Sequence, residues 1–373
     1  MLIKKIFSVL IILSFVPLSA FAVSHPEITA KSSILINSDT KEVLYEKNAY
    51  EFLSMASTTK IMTSILAIES GRLKESVTAK RDYNCEGTAI SIKKGNTFTL
   101  ETLVYAMLLE SGNDAAELTA DFLAGSQDEF SKMMNAKANE IGMEDTCFVT
   151  ASGLDADGHG TTAYDMALLG SHAIKNPVFR NICSTEKATV RYISPDISST
   201  YINHNRLLKE YDGIIGIKTG FTKKSGRCLV TACERNGTTL VAVTLKSPDD
   251  WNDHKKLYDY GFSVQKEADF SVDFPERIKV FGSESNSISI KAEEHRFTVA
   301  EADGTAIKYK IYISKWLYAP IESGDIVGFA EIYIKDSFIK RINITAAESA
   351  QMIKTENTPR FTFKYKVKRF LNL

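Results

Sequence analysis

The stretch IIGIKTGFTKKSGRCLVTACERNGTTLVAVTL, residues 214–245, decides the fold. Three strand-like runs, IIGIKTGFT, RCLVTACE and TTLVAVTL, are separated by KKSG and by Asn236-Gly237. Asn-Gly between two such runs is the strongest short-range hairpin signal. The stretch therefore predicts three consecutive antiparallel strands. Near the N terminus SSILIN and KEVLYE flank the turn Ser38-Asp39-Thr40 and add two more strands. Between these groups lies a helical block. Residues 57–70 lack Gly and Pro, with Ile61, Ile65 and Ile68 on one face, and Gly71 stops them. Residues 100–123, 127–141 and 163–174 read as helices too, and a last helix over 249–260 closes the region. The economical arrangement is α/β (α+β), an antiparallel five-stranded sheet flanked by helices.

After residue 262 the texture changes. RIKVFG, SISIKA, AIKYKIYIS, DIVGFAEIYIK and RINITA alternate with almost no helical period. This predicts a small all-β C-terminal domain over residues 268–358, joined by a linker near 268–275 to a catalytic domain over 23–267. Residues 1–22 read as a secretory signal peptide. Lys4 and Lys5 precede an apolar run too short for a comfortable membrane span, then Ala20-Phe21-Ala22 gives a cleavage site. The alternative is an uncleaved anchor. The expected location is extracytoplasmic, on the outer face of the cell membrane. Residues 359–373 carry five basic side chains and no acid, interleaved with Phe361, Phe363, Tyr365 and Phe370. That pattern suits a membrane-surface anchor, with a final edge strand as the alternative.

Composition bounds the function classes. The chain has 373 residues, 45 Lys+Arg against 46 Asp+Glu and a net charge of −1. Such a balance argues against nucleic acid as the main partner. All five cysteines lie beyond the leader and none forms a Cys-x-x-Cys pair. Cys228 and Cys233 sit at odd separation in one predicted strand, so they face opposite sides and cannot easily bridge. No His-Glu-x-x-His occurs and the six histidines are scattered, so neither a metal nor a cofactor is expected. There is no Gly-x-Ser-x-Gly elbow and no Gly-rich phosphate loop.

What remains is Ser57-Thr58-Thr59-Lys60. Ser-x-x-Lys also begins at Ser38, Ser91, Ser184, Ser263 and Ser337, so the motif alone says little. Only Ser57 opens a long apolar helix, where residues three apart share a face and the first amides favour developing negative charge. A lysine one turn on can take the serine proton if burial or a second cation keeps it neutral. Taken alone, the pair reads more readily as an N-cap serine and a surface lysine. Ser111-Gly112-Asn113 falls in a break between helices. Lys218-Thr219-Gly220 lies in a predicted strand, offering a fixed charge, a hydroxyl and a position where a substrate backbone can approach. Lys224-Ser225-Gly226 has similar composition but falls in a turn. His159 and Asp165 read as supports for the loop of residues 153–160, outside the catalytic set.

Ser-x-x-Lys, Ser-x-Asn and Lys-Thr-Gly in this order resemble the penicillin-recognising serine enzymes. The runs MASTTKIMT, LLESGNDAA, ASGLDADGHGTTAYDMALL, GIIGIKTGFT and SGRCLVTA resemble the low-molecular-mass D-alanyl-D-alanine carboxypeptidases over about residues 30–262. Met55 departs from the proline many members carry. The resemblance implies a DD-peptidase/β-lactamase-like fold acting on peptidoglycan stem peptides that end in D-Ala-D-Ala, and covalent inhibition by β-lactams. It implies Ser57 as nucleophile, Lys60 as general base and Ser111 as proton relay. Asn113, Lys218, Thr219, Gly220 and Phe221 would bind substrate, the last through its backbone N–H in an oxyanion hole with that of Ser57. A β-lactamase lacks such a β domain. A D,D-endopeptidase would use the same residues, and a non-catalytic β-lactam or cell-wall sensor would need only the binding.

Overall fold

A computed structural model of the chain describes residues 25–268, 272–292, 297–300, 307–334 and 337–353. The leader of residues 1–22 and the tail of 359–373 lie outside the described residues. The central sheet has five strands: β1 (Ser32–Asn37), β2 (Val43–Lys47), β3 (Ile214–Thr222), β4 (Gly226–Arg235) and β5 (Thr238–Ser247). Their spatial order is β2-β1-β5-β4-β3, and every neighbouring pair is antiparallel. The hairpin between β4 and β5 turns at Asn236 (φ 50°) and Gly237 (φ 78°). Both residues have the positive φ that a two-residue type I′ turn requires, which is why Asn-Gly occupies the position.

Helices cover both faces, so the inner strands are apolar on both sides. Ile34, Ile36, Val230, Val241 and Val243 join the core beneath α1 (Lys60–Glu69), α2 (Asn113–Ala124) and α3 (Ala163–Lys175). Leu35, Leu240 and Ala242 face the opposite way, toward Leu257 and Tyr258 of α4 (Asp250–Val264). Gly261 lets α4 lie close to the sheet, since a Cβ there would sit 2.4 Å from Leu35 Cδ2. Cys228 and Cys233 lie in different core clusters on the two faces, and both are free thiols.

Several helix boundaries differ from the sequence reading. The helix expected over residues 57–70 begins as a 3-10 turn, Ala56–Thr59, before α1. Residues 100–123 are not one helix with a simple break. An α segment, Leu100–Tyr105, widens into a π turn, Ala106–Glu110, and ends at Ser111 in the left-handed conformation. Apolar spacing cannot register a π turn, because one extra residue per turn still leaves Met107, Leu108 and Leu109 buried. The last helix runs four residues beyond Tyr260, to Val264.

The C-terminal region is all-β. Its six-stranded sheet runs, in spatial order, Ile307–Ile313, Ile326–Ile334, Ser337–Ala346, Ser287–Ala292, Arg277–Phe281 and Trp316–Tyr318. Ile278, Val280, Ile288, Ile290 and Ile344 fill its interior, alternating with exposed positions. Strand Gln265–Ala268 follows directly on α4 and pairs with Phe297–Ala300, so the crossover into this region begins as sheet.

Candidate active site

The site forms where the 3-10 turn of Ser57, the left-handed turn at Ser111 and the edge strand β3 converge. Ala56 has φ 48°, an unfavourable value for a residue with a side chain, and it turns the chain into the helix so that Ser57 faces the cleft. One helical turn on, Lys60 is completely buried, and its Nζ lies 2.9 Å from Ser57 Oγ. The same nitrogen is 2.6 Å from Asn113 Oδ1 and 2.6 Å from the Ser152 carbonyl oxygen. Those two oxygens can only accept. A neutral amine has two hydrogens and one lone pair, so donating to both acceptors leaves its lone pair directed at the Ser57 hydroxyl. Burial, then the nearby Lys218 charge, hold the Lys60 amine well below the usual lysine range.

Lys218 is also buried, and its Nζ donates to the Thr219 carbonyl at 3.0 Å. Burial lowers its pKa to about 7. Among the described residues no carboxylate pairs with it. Thr219, Gly220 and Phe221 follow it along β3, which is an edge of the sheet, and all three line the cleft. Gly220 passes very close to the serine turn. A Cβ there would lie 3.0 Å from the Ser57 amide nitrogen and 3.1 Å from that of Thr58. The Phe221 side chain is exposed, so its backbone and not its ring is held by the fold. Ser111 completes the near wall, and its αL conformation (φ 63°) sets the turn from which Asn113 reaches Lys60. The Asn113 Nδ2 donates to the Glu86 carbonyl at 2.6 Å, which fixes the amide with its oxygen toward Lys60.

The cleft has a volume of about 480 Å³. The structure thus brings Ser57, Lys60, Ser111, Asn113, Lys218, Thr219, Gly220 and Phe221 into one place. It leaves Lys224-Ser225-Gly226 in the β3–β4 turn, where Ser225 Oγ accepts from the Thr222 amide at 2.9 Å.

The Ser152 carbonyl and Asp114 have no legible signal in the sequence, whereas His159 and Asp165 read there as loop supports and do make loop contacts. The Ser152 carbonyl is a backbone group. It reaches Lys60 because Gly153, at φ 85°, packs where a Cβ would come within 1.9 Å of the Ala56 carbonyl oxygen. His159 accepts from the Val149 amide at Nδ1 (3.0 Å), so its Nε2 carries the proton and donates to Thr59 Oγ1 at 2.9 Å. Burial lowers its pKa to about 4, so the ring is neutral and clamps the loop to the serine turn. Asp165 accepts from the Asp145 amide and the Thr146 hydroxyl, a second brace of the same loop. Buried Asp114 accepts from the Ile90 and Ile92 amides and holds the segment opposite Ser57. On the far wall Arg227 pairs with buried Asp250 at 2.7 Å, while Arg206 and Arg227 lie over the Trp251 ring.

The D-alanyl-D-alanine carboxypeptidase family model matches residues 19–249, and the C-terminal domain model of penicillin-binding protein 5 matches residues 254–351. The chain belongs to the D-alanyl-D-alanine carboxypeptidase family. It is 32% identical to D-alanyl-D-alanine carboxypeptidase DacF of Bacillus subtilis over 87% of this chain and 89% of that protein. Against DacA of Escherichia coli the identity is 32%, covering 81% of this chain and 79% of that protein. Among solved structures, a mutant of the Streptomyces K15 DD-transpeptidase superposes with a TM-score of 0.61 at 30% identity, covering 64% of this chain and 100% of that one. Penicillin-binding protein 5 of Haemophilus influenzae extends the shared fold to 88% of this chain and 99% of that one, with a TM-score of 0.64 at 24% identity. As a member of this carboxypeptidase family, the chain is a serine-type hydrolase.

Proposed function

We propose that the chain removes the terminal D-alanine from peptidoglycan stem peptides ending in D-Ala-D-Ala, through an acyl-enzyme on Ser57. The observation that carries this is the Lys60 amine, wholly buried and 2.9 Å from Ser57 Oγ, with acceptor oxygens of Asn113 and Ser152 as its other partners. Ser57 Oγ attacks the carbonyl of the penultimate residue as its proton passes to Lys60 Nζ. The Ser57 and Phe221 backbone N–H groups receive the developing oxyanion, typically worth about 2.7–4 kcal/mol per donor. Ser111 passes the proton to the departing D-alanine amine, and water then hydrolyses the ester.

Lys218 and Thr219 receive the terminal carboxylate. Buried Lys218 has no acidic partner among the described residues, and a substrate carboxylate supplies the missing counter-charge. This preference for a free C terminus favours exopeptidase over endopeptidase action. A β-lactam offers the same carboxylate and acyl carbon, and the Listeria monocytogenes penicillin-binding protein D2, whose structure was solved in an ampicillin-bound form, is 30% identical to this chain with a TM-score of 0.58. Acylation of Ser57 by β-lactams is therefore part of the reading.

From the leader of residues 1–22 and the basic aromatic tail of 359–373, we further propose that the enzyme is exported and held at the outer face of the cell membrane. The test of function is release of free D-alanine from a D-Ala-D-Ala pentapeptide by residues 23–373, beside Ser57→Ala. Release by the parent and none by the variant is expected. No release by either overturns the carboxypeptidase reading.

A further inference from the structure

We propose that the exposed edge of the C-terminal β region is a second membrane-contact surface, docking on an anionic lipid bilayer beside the root of the tail. This rests on the reading of residues 359–373 as a membrane contact. Strand Arg277–Phe281 pairs in parallel with the sheet's edge strand Trp316–Tyr318, matching Lys279 with Trp316 and Phe281 with Tyr318. Val280 and Leu317, between these rows, turn inward to the core. The outer rows are therefore aromatic and basic, and they are open: Tyr318 is 70% exposed, Phe281 52% and Trp316 51%. The Phe281 and Tyr318 rings lie together, with centroids 6.0 Å apart. A short edge strand carrying large exposed aromatics invites association, and soluble proteins normally blunt such an edge.

What covers it is indicated by where the chain leaves the fold. The Ile353 amide donates to the Gly282 carbonyl at 2.9 Å, and Met352 bridges to Ser283, so residue 353 sits immediately beyond Phe281. Met352 and Ile353 are themselves exposed and extend the apolar rows. From that point the sequence continues for twenty residues into the five basic and four aromatic side chains of the tail. Lys279 and Lys315 on the edge repeat the same chemistry, cations for lipid phosphates beside Trp and Tyr for the headgroup zone. A tail engaged with a bilayer brings this edge, and not the opposite edge strand, down to the same surface.

The chain has two tryptophans, Trp251 and Trp316, so Trp251→Phe makes Trp316 the lone reporter. Residues 23–373 with that substitution are mixed with vesicles of phosphatidylglycerol and phosphatidylcholine, with and without brominated acyl chains. The expected result is vesicle binding with a blue shift of Trp316 emission and its quenching by the brominated lipid. Joint substitution of Phe281, Trp316 and Tyr318 by Ser, with the tail intact, should weaken partitioning by ~fivefold or more. Binding without any change at Trp316 overturns the second contact and leaves the tail reading standing. No binding at all overturns both. Trp316 already shielded without vesicles, and uncovered by deleting residues 354–373, would make the tail and not lipid its cover and also overturn the proposal.

Discussion

Gly220 runs so close to Ser57 that a methyl group on its Cα would stand 3.0 Å from the serine amide nitrogen. The edge strand and the serine turn are thus fitted closely, with the Ser57 and Thr58 amide nitrogens and the Ala56 methyl against Gly220. That contact sets the gap in which a carbonyl carbon must meet Ser57 Oγ and its oxygen must meet the amides.

Gly220→Ala should therefore impair chemistry far more than folding. The two nearest atoms are the Ser57 and Thr58 backbone nitrogens, with the Ala56 Cβ next at 3.2 Å, so the serine turn itself must give by a few tenths of an ångström. Misplacement of a reacting group on the ångström scale costs on the order of 100-fold in rate. D-alanine release should fall by ~10–100-fold while the thermal midpoint moves by only a few degrees. An unchanged rate would mean that the strand does not set the oxyanion geometry.

The two lysines predict a bell-shaped pH dependence with separable limbs. Lys60 must be neutral to accept the serine proton, and its lowered pKa makes kcat/KM rise as pH climbs through it. Lys218 must be charged to receive the carboxylate, so kcat/KM falls as pH rises through about 7 in the free enzyme. Lys218→Arg keeps its charge at all accessible pH and should flatten the basic limb while sparing the acidic one. Lys60→Arg cannot accept a proton and should abolish acylation. A basic limb unchanged in Lys218→Arg would remove Lys218 from carboxylate recognition.

Acid should loosen the loop that supports Ser57. His159 has an ordinary pKa of 6.5 unfolded and about 4 folded, because burial disfavours its charged form. A base with a depressed folded value contributes stability that is present above 6.5 and is lost as pH falls toward 4. The size is about 3 kcal/mol, an order-of-magnitude figure. His159→Gln retains a donor toward Thr59 and does not titrate. Its urea midpoint at pH 7 should be lower than that of the parent, yet it should decline less between pH 7 and pH 4. A parallel decline in both proteins would show that His159 is not a source of acid sensitivity.

All five cysteines are free, with Cys147 exposed and Cys183, Cys228 and Cys233 buried. Alkylation of the unreduced, denatured chain should add five labels, and brief native treatment should label Cys147 first. Fewer than five labels after denaturation would reveal a bridge and contradict the five free thiols.

The sheet was legible because its turns are chemically specific. Asn236-Gly237 fixes one hairpin, and the odd spacing of Cys228 and Cys233 places them on opposite faces. The site was legible through order and context. Six Ser-x-x-Lys copies exist, and only the one at Ser57 opens a buried helix that also carries its lysine into the core. What stayed hidden was mostly backbone. The Ser152 carbonyl carries no residue signature, and the π turn before Ser111 leaves the apolar spacing intact. Asp114 acts through the Ile90 and Ile92 amides, contacts that only the assembled fold creates. Phe281 falls in the ordinary alternation of RIKVFG and the three-residue strand Trp316–Tyr318 lies outside the runs that read as strands, so the open aromatic edge was not legible: period two does not say which face will be left open.

The central claim is that Ser57 carries the acyl group, and intact-protein mass spectrometry with peptide mapping after incubation with benzylpenicillin tests it most directly. The account predicts one added penicilloyl mass per chain, located on the peptide containing Ser57, slow to disappear, and absent in Ser57→Ala. An adduct on any other residue, or one that persists in Ser57→Ala, would contradict it.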